Sequence, residues 1–338
     1  QKWPCLVFDD QVVCTVPSDR STNGKFGSDL YWHRLGGEQL VVDRAKDKVH
    51  APSKKLDKAA PDVLNAVYRT AKGYSDGLSR SQVAKLTSAK RGLSISQVKA
   101  REYFPWPSVA GRYVDGPRRK GDSRGLLPAL VAKEHGRATF TVPGLVAHRK
   151  TDRPFAAGYE GIFIPARNPE GLIVGAQIAV DDVAKTKTKY ATLSCGDHTG
   201  ASSGDLIHVS RPTGHGTAPK PVSRVWLTEG FLKADIASDL LGEVVFGAPG
   251  KSYPAELLKE YLAQFDGLVE VVVALDEDTG RARTDGEKAK QTLVDQLVDL
   301  GYTVSVAKWS SGEGKGLDDI LLAGREGEGR AVAQRRSE

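Results

Sequence analysis

Acidic residues follow apolar runs at three places in the sequence. They are Glu229 after VWLT, Asp276 to Asp278 at the end of VVVALDED, and Asp318 and Asp319 in GEGKGLDDIL, beyond the run TVSVA. Carboxylates held close together raise one another's pKa, so such a cluster is costly unless a divalent cation neutralises it. Mg²⁺, or Mn²⁺ in its place, binds a few carboxylates while keeping waters and substrate phosphates. The pattern therefore predicts a metal site for phosphoryl or nucleotidyl transfer.

Strands and helices alternate around these acids between residues 224 and 325. The runs RVWLTEG, EVVFGAPG, LVEVVVALDED and TVSVAKW are predicted strands, and FLKADIASDLL, AELLKEYLAQF and GEKAKQTLVDQLVDLG are the predicted helices between them. This order is typical of a parallel sheet flanked by helices, whose ligands lie beyond the carboxyl ends of the strands. A single Asp there would be interpreted as a helix cap or a solvated turn residue. Three strands that end alike favour a metal site.

The same residues resemble the motifs of the Toprim domain, a metal-binding fold shared by bacterial-type DNA primases, type IA and II topoisomerases and some nucleases. Glu229-Gly230 resembles its first motif, Asp276-Glu277-Asp278 its DxD motif, and Lys315 with Asp318 its final Lys-x-x-Asp stretch. The resemblance implies that Glu229, Asp276, Asp278, Asp318 and Asp319 hold the metal. Since Asp276 and Asp278 alternate, both can turn toward the metal, and we expect Glu277 to be dispensable.

Upstream segments resemble DNA primases of bacterial and phage type more than the other Toprim enzymes. GIFIPARNPEGLIVGAQI (161–178) and KYATLS (189–194) resemble the region that precedes Toprim in these primases, and RGLS (91–94) resembles primase-like proteins of phages, plasmids and mobile elements. The family usually has Arg where this chain has Gly161 and Ala179. Binding of template or nucleotide would then fall to other cations, and the candidates are Arg149, Lys150, Arg167 and Lys189.

The implied architecture is a multidomain α+β and α/β chain. We expect a β-ribbon over residues 1–48, a helical segment over 49–110, a β-rich primase N-terminal subdomain over 111–220, a Toprim domain over 221–325 and a tail over 326–338. Cys5 and Cys14 flank a predicted hairpin. Two thiolates do not complete a structural zinc site. The pair is therefore either the second half of a zinc ribbon whose other ligands precede Gln1, or a metal-free hairpin.

Composition narrows the class of protein. The chain has 338 residues, a hydrophobic fraction of 40%, three cysteines and a formal net charge of +6. No apolar run approaches the length of a membrane span, and so few cysteines exclude a disulfide framework. We therefore expect a cytoplasmic protein without a membrane partner.

Two similar stretches, LSRSQVAKL (78–86) and LSISQVKAR (93–101), each contain the Ser-x-x-Gln of a capping box. Their basic residues form either a solvated surface or a nucleic-acid contact.

The resemblance implies a primase core that joins ribonucleoside triphosphates on a single-stranded DNA template. Glu229, Asp276 and Asp278 would be catalytic, with Glu229 either a further metal ligand or the general base for the primer 3′-hydroxyl. Lys189, Lys233 and Lys315 would contact phosphates, and a replicative helicase, fused or separate, would be a partner.

The alternative functions are a Toprim nuclease and a non-catalytic DNA-binding module. VFGAPGKS, ending at Ser252, lacks the first Gly of a P-loop, and we reject that interpretation.

Overall fold

The computed structural model describes residues 5–7, 11–14, 25–26, 30–34, 56–108, 122–150, 153–196, 198–214, 221–276, 281–309 and 314–326. The chain forms two compact units. The first contains Gln1–Gly77, Phe104–Ile162 and Ile178–Gly204, and the second contains Leu78–Tyr103, Phe163–Gln177 and Asp205–Glu338. Each unit is therefore assembled from separate stretches of the chain, whereas the predicted domains are consecutive segments.

The helices are α1 (Pro61–Tyr74), α2 (Arg80–Thr87), α3 (Ile95–Ala100), α4 (Asp122–His135), α5 (Val183–Thr186), α6 (Phe231–Leu241), α7 (Ala255–Leu262), α8 (Arg281–Asp299) and α9 (Leu317–Glu326). The strands are β1 (Cys5–Val7), β2 (Gln11–Cys14), β3 (Lys25–Phe26), β4 (Leu30–Arg34), β5 (Phe104–Trp106), β6 (Leu145–Ala147), β7 (Pro154–Ala156), β8 (Gly161–Arg167), β9 (Ile173–Val180), β10 (Tyr190–Thr192), β11 (His208–Ser210), β12 (Arg224–Glu229), β13 (Val244–Ala248), β14 (Glu270–Val273) and β15 (Thr303–Val306). Within these described ranges, no helix combines the length and the apolar sequence needed to cross a membrane.

Two helices of the first unit show what sequence patterns do and do not reveal. Helix α1 begins at Pro61, a residue type favoured in the first turn of a helix, and buries the face that carries Leu64, Val67 and Ala71. Helix α4 lies in the segment predicted to be β-rich, and all its residues from Leu126 to Val131 except Pro128 are core hydrophobics. A helix that is buried on all sides has no polar face, so its sequence lacks the 3.6-residue periodicity.

The strands of the first unit are mostly short. β1 to β4 form an antiparallel sheet in the order β1-β2-β4-β3, in which Cys5 lies opposite Cys14. β6 pairs with β7. The long strands β8 and β9 are the central strands of a four-stranded sheet whose order is β10-β9-β8-β5.

Helices α2 and α3 form a hairpin in the second unit, and each starts with the predicted capping box. Ser79 and Ser94 accept a hydrogen bond from the backbone N–H of Gln82 and Gln97, respectively, and each glutamine side chain accepts one from its serine's N–H in return. The hairpin turns at Gly92, whose φ is +64°. A Cβ there would lie 2.4 Å from the side chain of Leu322, so the turn packs closely against α9.

The second unit is built around a five-stranded sheet in the order β11-β13-β12-β14-β15. Strands β12 to β15 are parallel, as the alternation of strands and helices predicts, and β11 is an antiparallel edge strand that was not predicted. Successive strand residues face opposite sides, so the sheet has two cores. Trp226 packs with Ala234 of α6 and Leu317 of α9. On the other face, Leu227 belongs to the cluster that contains residues of α7 and α8.

Candidate active site at the strand ends

The end of β12 lies very close to the end of β13. Gly230 follows Glu229 with φ +80°, and its N–H donates to the carbonyl of Ala248 over 2.6 Å. A Cβ on Gly247 would lie 2.7 Å from the carbonyl oxygen of Gly230. Helix α6 then begins at Phe231, whose N–H donates to Oε1 of Gln177 over 3.2 Å. The two glycines therefore permit the close strand-to-helix turn that fixes Glu229 at the sheet edge.

Glu229 and Asp276 meet at this edge, from neighbouring strands. Asp276 follows β14, is 5% exposed, and donates its backbone N–H to Oε1 of Glu229 over 3.1 Å. Burial raises the pKa of Glu229, and the charge of Asp276 raises it further. Lys251 and Lys233 act in the opposite direction but do not cancel these effects. The Glu229 carboxyl group is thus less acidic than an ordinary glutamate.

Two lysines accompany this acid pair. The ammonium group of Lys233 contacts both carboxylate oxygens of Asp276, with 2.5 Å to Oδ1. Lys251 donates to the carbonyl oxygen of Asp276 over 3.2 Å and lies 3.8 Å from Oε1 of Glu229. The loop after β13 therefore brings a cation to the site, although its sequence is not a P-loop.

Asp318 reaches the same edge from the first turn of α9. Its side chain is 1% exposed, and Oδ2 accepts a hydrogen bond from Arg91 over 2.9 Å. Oδ1 has no hydrogen-bond partner in the part of the chain that the structure describes. Burial raises the pKa of Asp318, as do the charges of Asp319 and Asp276, whereas Lys233 and Arg91 lower it. The nearby cations therefore do not offset burial and repulsion by other carboxylates, and a carboxylate in this situation is called under-compensated below.

Gly316 shows how closely these groups converge. A Cβ at this position would lie 2.6 Å from Oδ1 of Asp276, 2.8 Å from Nζ of Lys233 and 3.0 Å from Oδ1 of Asp318. All three atoms therefore border the same small volume, and a larger residue would displace them. Asp319 is used differently, since its Oδ2 accepts weak hydrogen bonds from the N–H groups of Lys315 (3.3 Å) and Gly316 at the start of α9.

The remaining predicted residues lie elsewhere or outside the described part. Asp278 and Glu277 are outside the described residues. Lys315 is exposed beside the site. Arg167 pairs with Glu102 over 2.7 Å and donates to the carbonyl of Gly171. Arg149, Lys150 and Lys189 are exposed residues of the first unit, in which Cys5 and Cys14 lie opposite each other on neighbouring strands.

The donors at this edge fit a hard divalent cation in their chemistry. All are carboxylate oxygens, and the buried Oδ1 of Asp318 faces the shared volume without a hydrogen bond from any described residue. Among the described residues, no three His, Cys, Asp or Glu side chains form a ready-made metal-binding group. The ammonium group of Lys233 instead contacts the carboxylate of Asp276, and it borders the volume that Oδ1 of Asp318 also borders.

Sequence reasoning missed Arg91 as a site residue. Arg91 directly precedes Gly92 at the turn of the α2–α3 hairpin, and its contact with Asp318 joins positions 227 residues apart. No local pattern encodes such a contact. The role of Gly316 could have been predicted from sequence, because a glycine between Lys315 and Asp318 indicates that the backbone approaches other groups closely.

Comparison with known proteins gives one sequence family and several structures. The family DUF3854, described as a domain of unknown function, matches residues 220–327. No curated protein matches the sequence. The structure of the zinc-binding and RNA polymerase domains of Aquifex aeolicus primase aligns over 79% of this chain, with a TM-score of 0.54 and 17% identity. The RNA polymerase domain of Mycobacterium tuberculosis primase DnaG aligns over 82%, with a TM-score of 0.54 and 16% identity.

The fold is primase-like. A third structure, a DnaG primase catalytic domain bound to single-stranded DNA, aligns over 77% of this chain and 74% of its own length, with a TM-score of 0.50 and 14% identity. The chain spans 60% of the Aquifex aeolicus structure and 85% of the Mycobacterium tuberculosis domain. At such identities the similarity establishes the fold, which agrees with the mixed α/β architecture expected for a primase core.

Proposed function

We propose that this chain is the Toprim-type catalytic core of a DNA primase that makes short RNA primers on single-stranded DNA. The observation that carries the proposal is the convergence of Glu229, Asp276 and Asp318 at the carboxyl edge of a parallel sheet, in a chain with a primase-like fold. Phosphoryl and nucleotidyl transfer depend on charge neutralisation and positioning more than on covalent help from the protein. An under-compensated carboxylate cluster supplies the ligands for that neutralisation.

Each acid has a distinct part in this proposal. Asp276, Asp278 and Asp318 would hold Mg²⁺ or Mn²⁺, with Asp319 close by. When bound, the metal neutralises the charge of the triphosphate and aligns it with the attacking hydroxyl. Glu229 would accept the proton of the primer 3′-hydroxyl or serve as a further ligand. Its raised pKa suits a base, because a base works best when its pKa approaches the working pH.

Cationic side chains would hold the substrates. Lys315, exposed at the start of α9, would meet phosphates of the incoming nucleotide, and Lys189 and Lys233 are further candidates. Arg149, Lys150 and Arg167 would contact the template, whose binding should weaken steeply with salt. Two similar structures contain DNA, one with a single strand and one with a duplex that has a 6-nucleotide overhang.

The wider setting is part of the same proposal. We place the protein in the replication of a phage or another mobile element, in the cytoplasm, with a replicative helicase as partner. Cys5 and Cys14 would belong to a zinc module if further ligands exist in the protein. A CxxC motif before Gln1 would support that module, and its absence from the longer sequence would remove it.

A primer-synthesis assay tests the proposal. The full chain is incubated with labelled ribonucleotides, single-stranded DNA templates and Mg²⁺ or Mn²⁺, beside Asp276→Asn and, as a matched control, Glu256→Gln on the exposed face of α7. We expect short RNA products from the wild type and from E256Q, and a loss of at least about 100-fold in D276N. Cut DNA without primers would instead identify a nuclease. Bound DNA without either product would identify a non-catalytic binding module.

A further inference from the structure

Lys233 occupies an unusual place for a lysine that was expected to meet phosphates. It lies in the first turn of α6, and its ammonium group contacts both carboxylate oxygens of Asp276. The Lys233 side chain is 23% exposed and that of Asp276 is 5% exposed. The ion pair is thus largely withdrawn from water, where attraction between opposite charges is stronger than at a surface.

A second carboxylate from a distant part of the chain also faces this ammonium group. The position a Cβ would take on Gly316 is within 3.0 Å of Asp276 Oδ1, Lys233 Nζ and Asp318 Oδ1. Because it contacts Asp276 and borders the volume that Oδ1 of Asp318 also borders, this ammonium group stands where a cation would be expected.

The balance of charges at this edge favours an ammonium group that remains beside the carboxylates. The described carboxylates at the edge are Glu229, Asp276, Asp318 and Asp319, and three cationic groups contact them, namely Arg91, Lys233 and Lys251. Four formal negative charges thus face three positive ones. The described groups therefore leave one negative charge without a counter-charge, which a single divalent cation covers and a pair would exceed.

We propose that the ammonium group of Lys233 is a resident cation of this carboxylate cluster, so that the site takes one divalent cation per chain and not a pair. This inference rests on the proposed function, since it assumes that the cluster binds a divalent cation. Lys233 then supplies a fixed positive charge that needs no recruitment from solution. It differs from the role expected from sequence, in which Lys233 leaves the acids and meets phosphates.

Counting bound Mn²⁺ tests this inference without relying on activity. The full chain is titrated with Mn²⁺, and free ion is measured by its electron paramagnetic resonance signal. We expect one Mn²⁺ per chain for the wild type and for Lys233→Arg, which keeps the cation. We expect two for Lys233→Gln and for Lys233→Ala, because the freed carboxylates then lack a counter-ion. Lys259→Gln, an exposed lysine of α7, controls for the loss of one charge and should bind one.

The outcomes separate this inference from the proposed function. Two ions on the wild type would overturn the resident-cation role and leave the metal site intact. One ion on both wild type and the folded K233Q or K233A variant would also overturn it, and weaker nucleotide binding by that variant would then establish the phosphate role. No Mn²⁺ on the wild type would overturn the proposed metal-dependent function itself.

Discussion

Helix α6 stands between two acidic clusters that differ in how well their carboxylates are supplied with donors. Lys233 points to the strand-end cluster, and Asp235, two residues later, points to a buried network. Oδ1 of Asp235 accepts from Ser210 (2.8 Å) and His208 (3.0 Å) and lies 2.8 Å from Arg101, while Oδ2 accepts from Tyr103 over 2.6 Å. By contrast, one oxygen of Asp318 has no hydrogen-bond partner among the described residues.

The pKa values of the two clusters shift in opposite directions. Burial raises the pKa of Asp235, but the charges of Arg101 and His208 and the hydrogen bonds outweigh it, and the pKa falls well below its ordinary value. The pKa values of Glu229 and Asp318 are raised, since burial and the charges of neighbouring aspartates outweigh the effect of the nearby cations. A carboxylate whose two oxygens both accept hydrogen bonds stabilises the fold, whereas an under-compensated carboxylate is available for a ligand.

The largest expected effect comes from breaking the network around Asp235. Asp235→Asn removes the negative charge that Arg101 faces and forces a donor into a place surrounded by donors. Leaving a buried charge without its partner costs about 3–5 kcal/mol. Urea unfolding followed by circular dichroism should show this loss, and Glu256→Gln should not. A loss below about 1 kcal/mol would mean that Asp235 does not hold the network together.

The two arginines of the α2–α3 hairpin should differ in the same sense. Arg101 is 7% exposed, pairs with Asp235 and Asp239, the latter over 2.9 Å, and donates to the carbonyl of Asp235. Arg91 is 19% exposed, and its side chain pairs with Asp318. We expect Arg101→Gln to lower the free energy of unfolding by about 3 kcal/mol and Arg91→Gln by about 1 kcal/mol. Equal losses in the same urea series would contradict the distinction between the clusters.

At the strand ends, we expect substitution of an acid to reduce activity and to leave stability nearly unchanged. In Glu229→Gln, the amide oxygen still accepts from the N–H of Asp276, and the repulsion between Glu229 and Asp276 disappears. The free energy of unfolding should stay within about 1 kcal/mol of the wild type or rise. Primer synthesis should nevertheless fall by about 100-fold or more, the contribution of a general base. A variant that loses stability and activity together would place Glu229 with the structural acids.

The dependence of stability on pH is the smallest expected effect. The folded-state pKa of Glu229 lies above its ordinary value of 4.5, so its contribution to stability is complete below that pH and is lost as the pH rises through the folded-state pKa. In metal-free buffer, the stability of E229Q relative to the wild type should therefore increase from pH 4.5 to pH 7.

Asp235 supplies the contrast in the same experiment. Its folded-state pKa is lowered, so its contribution is present above the ordinary value of 3.8 and is lost only as the pH falls below that value. D235N should therefore remain less stable than the wild type throughout the range from pH 5 to pH 8. If the difference between E229Q and the wild type stayed flat from pH 4.5 to pH 7, the raised pKa of Glu229 would be wrong.

Features set by neighbours in sequence could be predicted. The capping boxes at Ser79 and Ser94 and the start of α1 at Pro61 depend on residues within one helical turn. The parallel strands follow from apolar runs that alternate with amphipathic segments, and parallel order alone brings Glu229 and Asp276 to one edge. The sequence therefore determined the sheet and the acids at its rim.

Tertiary structure decided how those acids are compensated. The pairing of Arg91 with Asp318, the contact of Lys233 with Asp276 and the placement of Asp235 among Arg101, Tyr103 and His208 join positions far apart in the chain. A charged residue looks the same in sequence whether water or an opposite charge surrounds it. Its partner and its burial are fixed only when the elements pack, and these two quantities decide whether a carboxylate stabilises the fold or is left available for a ligand.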